Sequence, residues 1–313
     1  MTMIDAEAAI LLGVPPHGRL SDGTISFVVD TAERLDLGLE LMHVVPTTVG
    51  GVTGTFEVGV AFESLVADGR AGLDQAMARV KEQAGDRVPL EAVLVRGGVT
   101  PRLIERSRSA QLVVLEHRHV GRWQRISEGS VTSGVAARAH APVVSVPAGW
   151  HPAHRNLPVT VGVEDPHRAQ AEVWTGLAMA AATDVPLRLL RVAYLSEAHQ
   201  EVLRREVNKD DLLVVAREEL ERDADLPDSV REQVPCTFEV RWGRPADVLV
   251  EATSASSLVV VARRDPLLPF GSHLGPVVRQ LLQAAEGPVM VVEPTLERTV
   301  VPEPASLATA VRG

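Results

Sequence analysis

The chain contains an internal duplication, because two stretches align at a constant offset of about 146 residues. The identical pairs run through both copies: Gly97 and Gly243, Leu103 and Leu249, Val113 and Val259, Arg118 and Arg264, Gly129 and Gly275, and Pro142 and Pro288. This period is far longer than a solenoid repeat, so each copy is predicted to be a domain with its own core.

The length of 313 residues fits two domains of ~150 residues each. The composition turns to Gly, His, Pro and Asn between residues 149 and 158, which predicts a short linker. We therefore expect a first domain over 1–153 and a second over 154–294. Residues 295–313 show little periodicity and are expected to form a flexible tail or a strap over the surface.

Composition excludes several classes of protein. No apolar run approaches the ~18 residues of a membrane span, so no membrane partner is expected. Asp5 and Glu7 precede only a short apolar stretch, so the N-terminus does not resemble a secretory signal and a cytoplasmic location is predicted. The single cysteine, Cys236, cannot form an intrachain disulfide and is predicted to be a small buried or half-buried residue.

The charge balance argues against a nucleic-acid partner. The formal net charge is -10, which is the wrong sign for neutralising phosphates. One Tyr, five Phe and four Trp are also too few for a surface on which bases stack.

Short apolar runs alternate with longer amphipathic stretches, the pattern of strand-helix-strand units on a parallel sheet. The predicted strands of the first copy are Ala9–Val14, Leu39–Val45, Leu90–Val95, Leu112–Glu116 and Val143–Val146. Those of the second copy are Val159–Val163, Leu187–Val192, Thr237–Val240, Leu258–Ala262 and Val289–Val292. The fold class is therefore α/β, with a five-stranded parallel sheet between helices in each domain.

The residues between these strands predict where helices begin and where loops lie. Asp165 followed by Pro166 predicts an N-cap with proline in the first turn, and Ser21 or Thr24 is expected to cap the equivalent helix of the first copy. The stretch 46–62, rich in Gly, Val and Thr, is predicted to be a loop. Ligands bind outside the carboxyl ends of such strands, so the loops 13–21, 116–129, 162–167 and 262–275 are the candidate functional segments.

At these loops the sequence resembles the universal stress proteins, specifically the tandem two-domain form. The resemblance covers about residues 8–148 and 157–294 and rests on the five-strand order, the first strand ending in Gly-Val, the Gly-Ser after the fourth strand, and the ending HAPVVSVP. It implies two tandem domains of the adenine nucleotide alpha hydrolase-like fold. In nucleotide-binding members an Asp after the first strand holds the adenosine, and a GxxG, nine-residue, Gly-Ser/Thr loop lets backbone amides approach the phosphates.

Transfer of that pattern gives an incomplete match in both copies. In the first copy Pro15 replaces the Asp, and Glu116 and His119 occupy the two upstream glycine positions, while Gly129 and Ser130 are retained. In the second copy Glu164 replaces the Asp, Ala262 and Asp265 occupy the upstream glycine positions, and Gly275 is followed by Pro276. A carboxylate beside a triphosphate repels it, and Pro276 lacks an amide donor. The resemblance therefore implies degenerate sites with weak or absent ATP binding.

Three hypotheses about function remain open. The first is a regulatory or binding module of the stress response. The second is a switch in which at least one copy binds ATP, with Mg²⁺. The residues that would then bind the nucleotide are Val44, Arg118, His119, Gly129 and Ser130 in the first copy and Glu164, Val192, Arg263, Arg264 and Gly275 in the second.

The third hypothesis, an ATPase or phosphotransferase, has no supporting motif: GxSxG, HExxH and GxxxxGK[ST] are absent, as is GxGxxG after the first strand. Gly129 and Gly275 could instead serve only a tight turn, and Arg118 and Arg264 could be ordinary surface or interface arginines. The resemblance further implies that Val143–Val146 and Val289–Val292 pair antiparallel in an intrachain pseudo-dimer, with a homodimer as a further possibility.

Overall fold

The computed structural model describes residues 9–47, 55–118, 128–194, 209–264 and 273–294. The chain divides into two compact units, Met1–Pro152 and Ala153–Gly313. We call them the first unit and the second unit. No helix within the described ranges is long and apolar enough to cross a membrane.

Strands and helices alternate along the first unit. Its strands are β1 (Ala9–Gly13), β2 (Gly38–Val45), β3 (Leu90–Arg96), β4 (Leu112–His117) and β5 (Val143–Pro147). Its helices are α1 (Asp22–Leu35), α2 (Thr55–Ala84), α3 (Val99–Arg106) and α4 (Glu128–Ala136), with a 3-10 helix over Pro16–Gly18.

The first-unit sheet is parallel, with strand order β3-β2-β1-β4-β5. The chain moves in one direction across the sheet from β1 to β3 and in the other from β4 to β5. Right-handed crossovers then put α1 and α2 on one face and α3 and α4 on the other, and each of these pairs is in contact. The strand order reverses between β1 and β4, which opens a crevice at their carboxyl ends.

The second unit repeats this plan. Its strands are β6 (Val159–Val163), β7 (Leu187–Ala193), β8 (Cys236–Trp242), β9 (Leu258–Ala262) and β10 (Val289–Val292). Its helices are α5 (Gln170–Thr183), α6 (Lys209–Asp223), α7 (Asp228–Gln233), α8 (Pro245–Ser254) and α9 (Pro276–Ala284), with a 3-10 helix over Pro166–Arg168. A further 3-10 helix, Pro152–Asn156, begins at the last residue of the first unit. The strands are again parallel, in the order β10-β9-β6-β7-β8, so the reversal lies between β6 and β9.

Burial of the central strands explains their sequence. Ile10 and Leu12 of β1 and Val113 and Val114 of β4 are fully buried, as expected for strands covered by helices on both faces. All ten predicted strands are present, with ends within two residues of the prediction. The α/β fold class with a parallel sheet in each domain is thus confirmed.

Helix starts agree with the sequence only in part. Ser21 is the N-cap of α1, its hydroxyl accepting a hydrogen bond from the Thr24 amide at 3.1 Å. Asp165 is an N-cap with Pro166 in the first turn, as predicted, but the helix that it caps is the 3-10 helix Pro166–Arg168, and α5 begins later, at Gln170. The predicted loop 46–62 was wrong over its second part, because α2 begins at Thr55.

The duplication extends to the backbone of one turn. Gly97 and Gly243, an identical pair, follow β3 and β8 with φ of 140° and 153°. Each donates its amide hydrogen to the carbonyl of the last residue of the neighbouring strand, Val45 and Ala193 respectively. Glycine adopts such a φ without the steric cost of a Cβ atom, which accounts for its presence in both copies.

Candidate functional site

A cavity of about 580 Å³ lies in the first unit at the carboxyl ends of β1, β2 and β4. Its lining includes strand-end residues such as Gly13, Val44 and Glu116, and residues of α2, α3 and α4. The volume falls within the range of small-molecule sites, ~300–1,000 Å³. The fold therefore places a preformed pocket at the point where strand order reverses. We call it the first-unit cavity.

Glu116 is the most constrained polar residue of this cavity. Its side chain is only 2% exposed. One carboxylate oxygen accepts a hydrogen bond from the Ser21 amide at 2.5 Å, and the other accepts one from Arg118 Nε at 2.8 Å. Glu116 thus joins the end of β4 to the N-terminus of α1, where a negative charge is favourable.

The guanidinium of Arg118 donates hydrogen bonds to other groups of the protein. Besides the bond from Nε to Glu116, its Nη2 donates to the backbone carbonyl of Arg19. The side chain is 39% exposed, so it lies at the mouth of the cavity rather than in its floor. A ligand phosphate that engaged Arg118 would compete with Glu116 for the same guanidinium.

The other predicted residues of the first unit have mixed positions. Val44 lines the cavity near the end of β2, and Gly129 and Ser130 fall in the first turn of α4. His119 lies outside the described residues. Pro15 also lines the cavity, so the position of the family Asp offers no carboxylate.

His43 was missed by sequence reasoning. It belongs to β2, is 7% exposed and lines the cavity. Its Nδ1 donates a hydrogen bond to the carbonyl of Val14 at 2.9 Å, because a carbonyl oxygen can only accept. Gly69 of α2 lies against the ring: a Cβ atom at this position would be 2.8 Å from Cδ2 and 3.0 Å from Nε2. The ring is therefore held in one orientation.

In the second unit two predicted residues pair with each other. Arg264, after β9, forms an ion pair through Nη2 with Glu164, after β6, and its Nε donates to the same carboxylate at 3.2 Å. Both side chains are largely exposed, at 52% and 74%. Arg264 also lies beside Gly275, the N-cap of α9, where a Cβ atom would be 3.4 Å from Cδ. The pair therefore spans the ends of β6 and β9 at the crevice.

The remaining predicted residues of the second unit do not join this pair. Arg263 donates its backbone amide to Val292 and pairs through its side chain with Glu293 at 2.5 Å, which directs it toward the end of β10. Val192 is half-buried near the end of β7. Of the residues predicted to bind a nucleotide in the second unit, the structure thus brings together Glu164, Arg264 and Gly275.

Comparison with known proteins decides the family. The profile of the Universal stress protein family matches residues 10–147 and again residues 156–293. The chain belongs to the universal stress protein family. It is a tandem member, since the profile matches two successive stretches of the chain.

Individual relatives agree with this assignment. A universal stress protein from Mycolicibacterium smegmatis is 26% identical over 301 residues, covering 94% of this chain and 100% of the relative. A universal stress protein from Mycobacterium bovis is 31% identical over 232 residues, covering 72% of this chain and 76% of the relative. The crystal structure of a universal stress protein from Archaeoglobus fulgidus superposes with a TM-score of 0.63 at 13% identity, covering 92% and 99% of the two chains, and so shares the fold.

A buried carboxylate also lies at the N-terminus of α5 in this universal stress protein. Glu172 is 6% exposed, and its Oε2 has no hydrogen-bond partner among the residues that the structure describes. Burial raises the pKa of Glu172 to about 7; its own backbone amide opposes this, and the nearby charge of Glu164 adds to it. Sequence reasoning missed this residue because nothing in the spacing separates it from a surface glutamate.

Glu172→Gln is expected to stabilise the protein at alkaline pH. Between pH 4.5 and about 7 the folded state holds a proton on Glu172 that the unfolded state has lost, so the stability of the wild type falls as pH rises through this window. Glutamine removes that loss, ~3 kcal/mol at pH 8 at 1.36 kcal/mol per pKa unit, and changes little at pH 4. Urea unfolding at the two pH values measures the difference, with the exposed Glu218→Gln as control. An equal effect of Glu172→Gln at both pH values would contradict the raised pKa.

Proposed function

We propose that this universal stress protein is a regulatory binding module of the stress response whose nucleotide sites are degenerate and bind ATP weakly. The observation that carries the proposal is the buried Glu116, fixed by the Ser21 amide and by Arg118 at a position where nucleotide-binding members have glycine. Its carboxylate lies in the first-unit cavity, at the end of β4.

Electrostatics supports weak binding in the first unit. Two like charges 4 Å apart repel by ~4 kcal/mol at an effective dielectric of 20, and a triphosphate carries several charges. Arg118 already pairs with Glu116, so its guanidinium is not free to bind a phosphate, and the charge of a triphosphate would stay uncompensated by the described lining. Pro15 supplies no carboxylate for the adenosine.

The second unit has a different obstacle. Arg264 and Glu164 neutralise each other across the crevice, and Pro276 at the first position of α9 has no amide hydrogen to donate. A phosphate that bound beside Gly275 would have to take Arg264 from Glu164. Weak nucleotide binding is therefore proposed for this unit as well.

The second candidate function is an ATP-binding switch. One observation favours it: the first-unit cavity lies at the switch point of the sheet and is large enough for a nucleoside. The first turn of α4, with Gly129 and Ser130, would then supply backbone amides to phosphates.

Calorimetric titration with ATP and Mg²⁺ distinguishes these functions. For the wild type we expect a dissociation constant greater than ~100 µM, which corresponds to a binding free energy less favourable than about -5.5 kcal/mol. The double variant Pro15→Asp with Glu116→Gly restores the family residues, and we expect it to bind at least ~10-fold more tightly, a gain of ~1.4 kcal/mol. Glu218→Gly, at an exposed position of α6 in the second unit, is the control for added glycine.

A low micromolar dissociation constant for the wild type would overturn the proposal in favour of the switch. No gain in the double variant, provided that it unfolds cooperatively, would show that Glu116 and Pro15 are not what weakens the site.

Assembly and location stay predictions. The antiparallel pairing of Val143–Val146 with Val289–Val292, a homodimer, and a cytoplasmic location follow from the resemblance and from composition.

A further inference from the structure

The first-unit cavity has walls that suit an apolar ligand. Met42 and Leu115 come from the strand ends, Val99 and Leu103 from α3, and Val131 from α4. Met42, Leu103 and Leu115 are each at most 5% exposed, so these walls are part of the folded core. An apolar ring placed against them gains the free energy of removing its own surface from water.

The charges of the described lining cancel. It contains two arginines, Arg19 and Arg118, and two carboxylates, Asp68 and Glu116. Glu116 and Arg118 are paired with each other. A multiply charged ligand would bring uncompensated charge into this partly buried space, which is costly, whereas an uncharged ligand would not.

His43 gives the cavity a fixed hydrogen-bonding group. Since Nδ1 donates to Val14, the Nε2 atom of the neutral ring is an acceptor. No hydrogen bond from a described residue reaches Nε2, and the Cδ2–Nε2 edge lies beside Gly69, where the lack of a Cβ atom leaves room next to the ring. A ligand that carries a donor would satisfy this nitrogen.

We propose that the first-unit cavity binds an uncharged, largely apolar ring compound that carries one hydrogen-bond donor, a hydroxyl or an N–H group, for Nε2 of His43. This inference rests on the proposed function, because it names the ligand class for the cavity in which nucleotide binding is weak. The second unit is not part of it, since the Arg264–Glu164 pair spans the corresponding crevice.

Three probes that share one ring system test the proposal on the full chain: 1-naphthol, naphthalene and 1-naphthyl phosphate. Equilibrium dialysis at pH 7 should give saturable binding of about one 1-naphthol per chain. We expect 1-naphthyl phosphate to bind at least ~10-fold more weakly because of its charge. Naphthalene should bind ~3- to 10-fold more weakly than 1-naphthol because it lacks the donor.

The variant His43→Asn distinguishes the role of Nε2 as a hydrogen-bond acceptor from a structural role of the side chain. The asparagine amide can still donate to Val14, as Nδ1 does, but it has no counterpart of Nε2. The variant should lose the preference for 1-naphthol, with the two affinities converging to within ~2-fold, while naphthalene binding stays near its wild-type value. A purely structural role of His43 would instead lower both affinities alike, and that result would overturn the assignment of the acceptor.

Val99→Trp tests the location. Val99 is half-buried at the start of α3 and lines the cavity, so a larger ring fills space that the probe needs. We expect at least ~10-fold weaker binding of 1-naphthol. Val214→Trp, at a 56% exposed position of α6, is the matched control and should bind as the wild type does.

Besides the His43→Asn result, two outcomes would overturn the inference. One is that 1-naphthyl phosphate binds the wild-type chain as tightly as 1-naphthol does. The other is that 1-naphthol binding is unchanged in a folded Val99→Trp protein. The proposed function fails on a separate result, low micromolar binding of ATP. The two failures can therefore be told apart.

Discussion

Gly18→Ala is expected to lower the free energy of unfolding by ~2–5 kcal/mol. Gly18 ends the 3-10 helix after β1 with φ of 63°, a conformation that costs a residue with a Cβ atom ~1–2 kcal/mol. The added Cβ would also overlap the carbonyl group of Gly72 in α2, lying 2.6 Å from the carbonyl carbon. Backbone cannot move aside as a side chain can, so overpacking adds ~1–3 kcal/mol. Urea denaturation of the purified variant measures the change.

Gly85→Ala is the matched control for Gly18→Ala. Gly85 follows α2 with φ of 61°, but a Cβ atom there meets nothing within 4 Å. Only the conformational cost of ~1–2 kcal/mol remains. Equal losses in the two variants would mean that the contact between Gly18 and α2 is not tight in solution.

Arg106→Gln is expected to cost ~2–4 kcal/mol of stability. Arg106, the last residue of α3, binds the carboxylate of Glu40 in β2 with two donors, one of them Nε at 2.7 Å from Oε1. The side chain of Glu40 is 5% exposed, whereas that of Arg106 is 37% exposed. The hydrogen bond to Glu40 raises the pKa of Arg106, which keeps the pair charged. Without Arg106 the glutamate is left buried without a counter-charge, and this loss is measured by thermal or urea unfolding.

Arg102→Gln, on the same helix, provides the comparison. Arg102 pairs with Glu105 at 2.7 Å, but the two side chains are 44% and 66% exposed. Such surface pairs contribute ~0–1 kcal/mol. The double variant Arg106→Met with Glu40→Met should recover most of the loss, since it removes both buried charges. If Arg106→Gln cost no more than Arg102→Gln, Glu40 would have to be solvated in the folded protein.

The strands were predictable because a strand that is buried on both faces is a continuous run of apolar residues in the sequence. Runs such as LVVL after Gln111 and LVVV after Ser257 are continuously apolar, and both are central strands. The start of α2 was not predictable in the same way. Residues 55–62 contain Gly59 and several β-branched residues with low helix propensity, and α2 is held by its contacts with β2 and with the 3-10 helix over Pro16–Gly18.

The candidate site was likewise predictable from the sequence only in part. Sequence placed Val44, Arg118, Glu164, Arg264 and Gly275 near strand ends, where the structure has them. It gave no reason to single out His43, since a lone histidine within an apolar strand is most often a core residue. The side-chain direction of Glu116, toward the N-terminus of α1, depends on the Ser21 amide, which is 95 residues away in the chain.

The amino-acid sequence alone determined that the chain is two copies of one α/β unit and that the glycines and the acid typical of a nucleotide loop are altered. Those properties reside in residue identity and spacing. Only the tertiary structure decided that Arg118 turns to Glu116 while its duplicate, Arg264, turns to Glu164, and that the first unit keeps an open cavity beside His43. Partner choice by a charged side chain depends on which groups the fold brings within a few ångströms, and a linear pattern does not contain those distances.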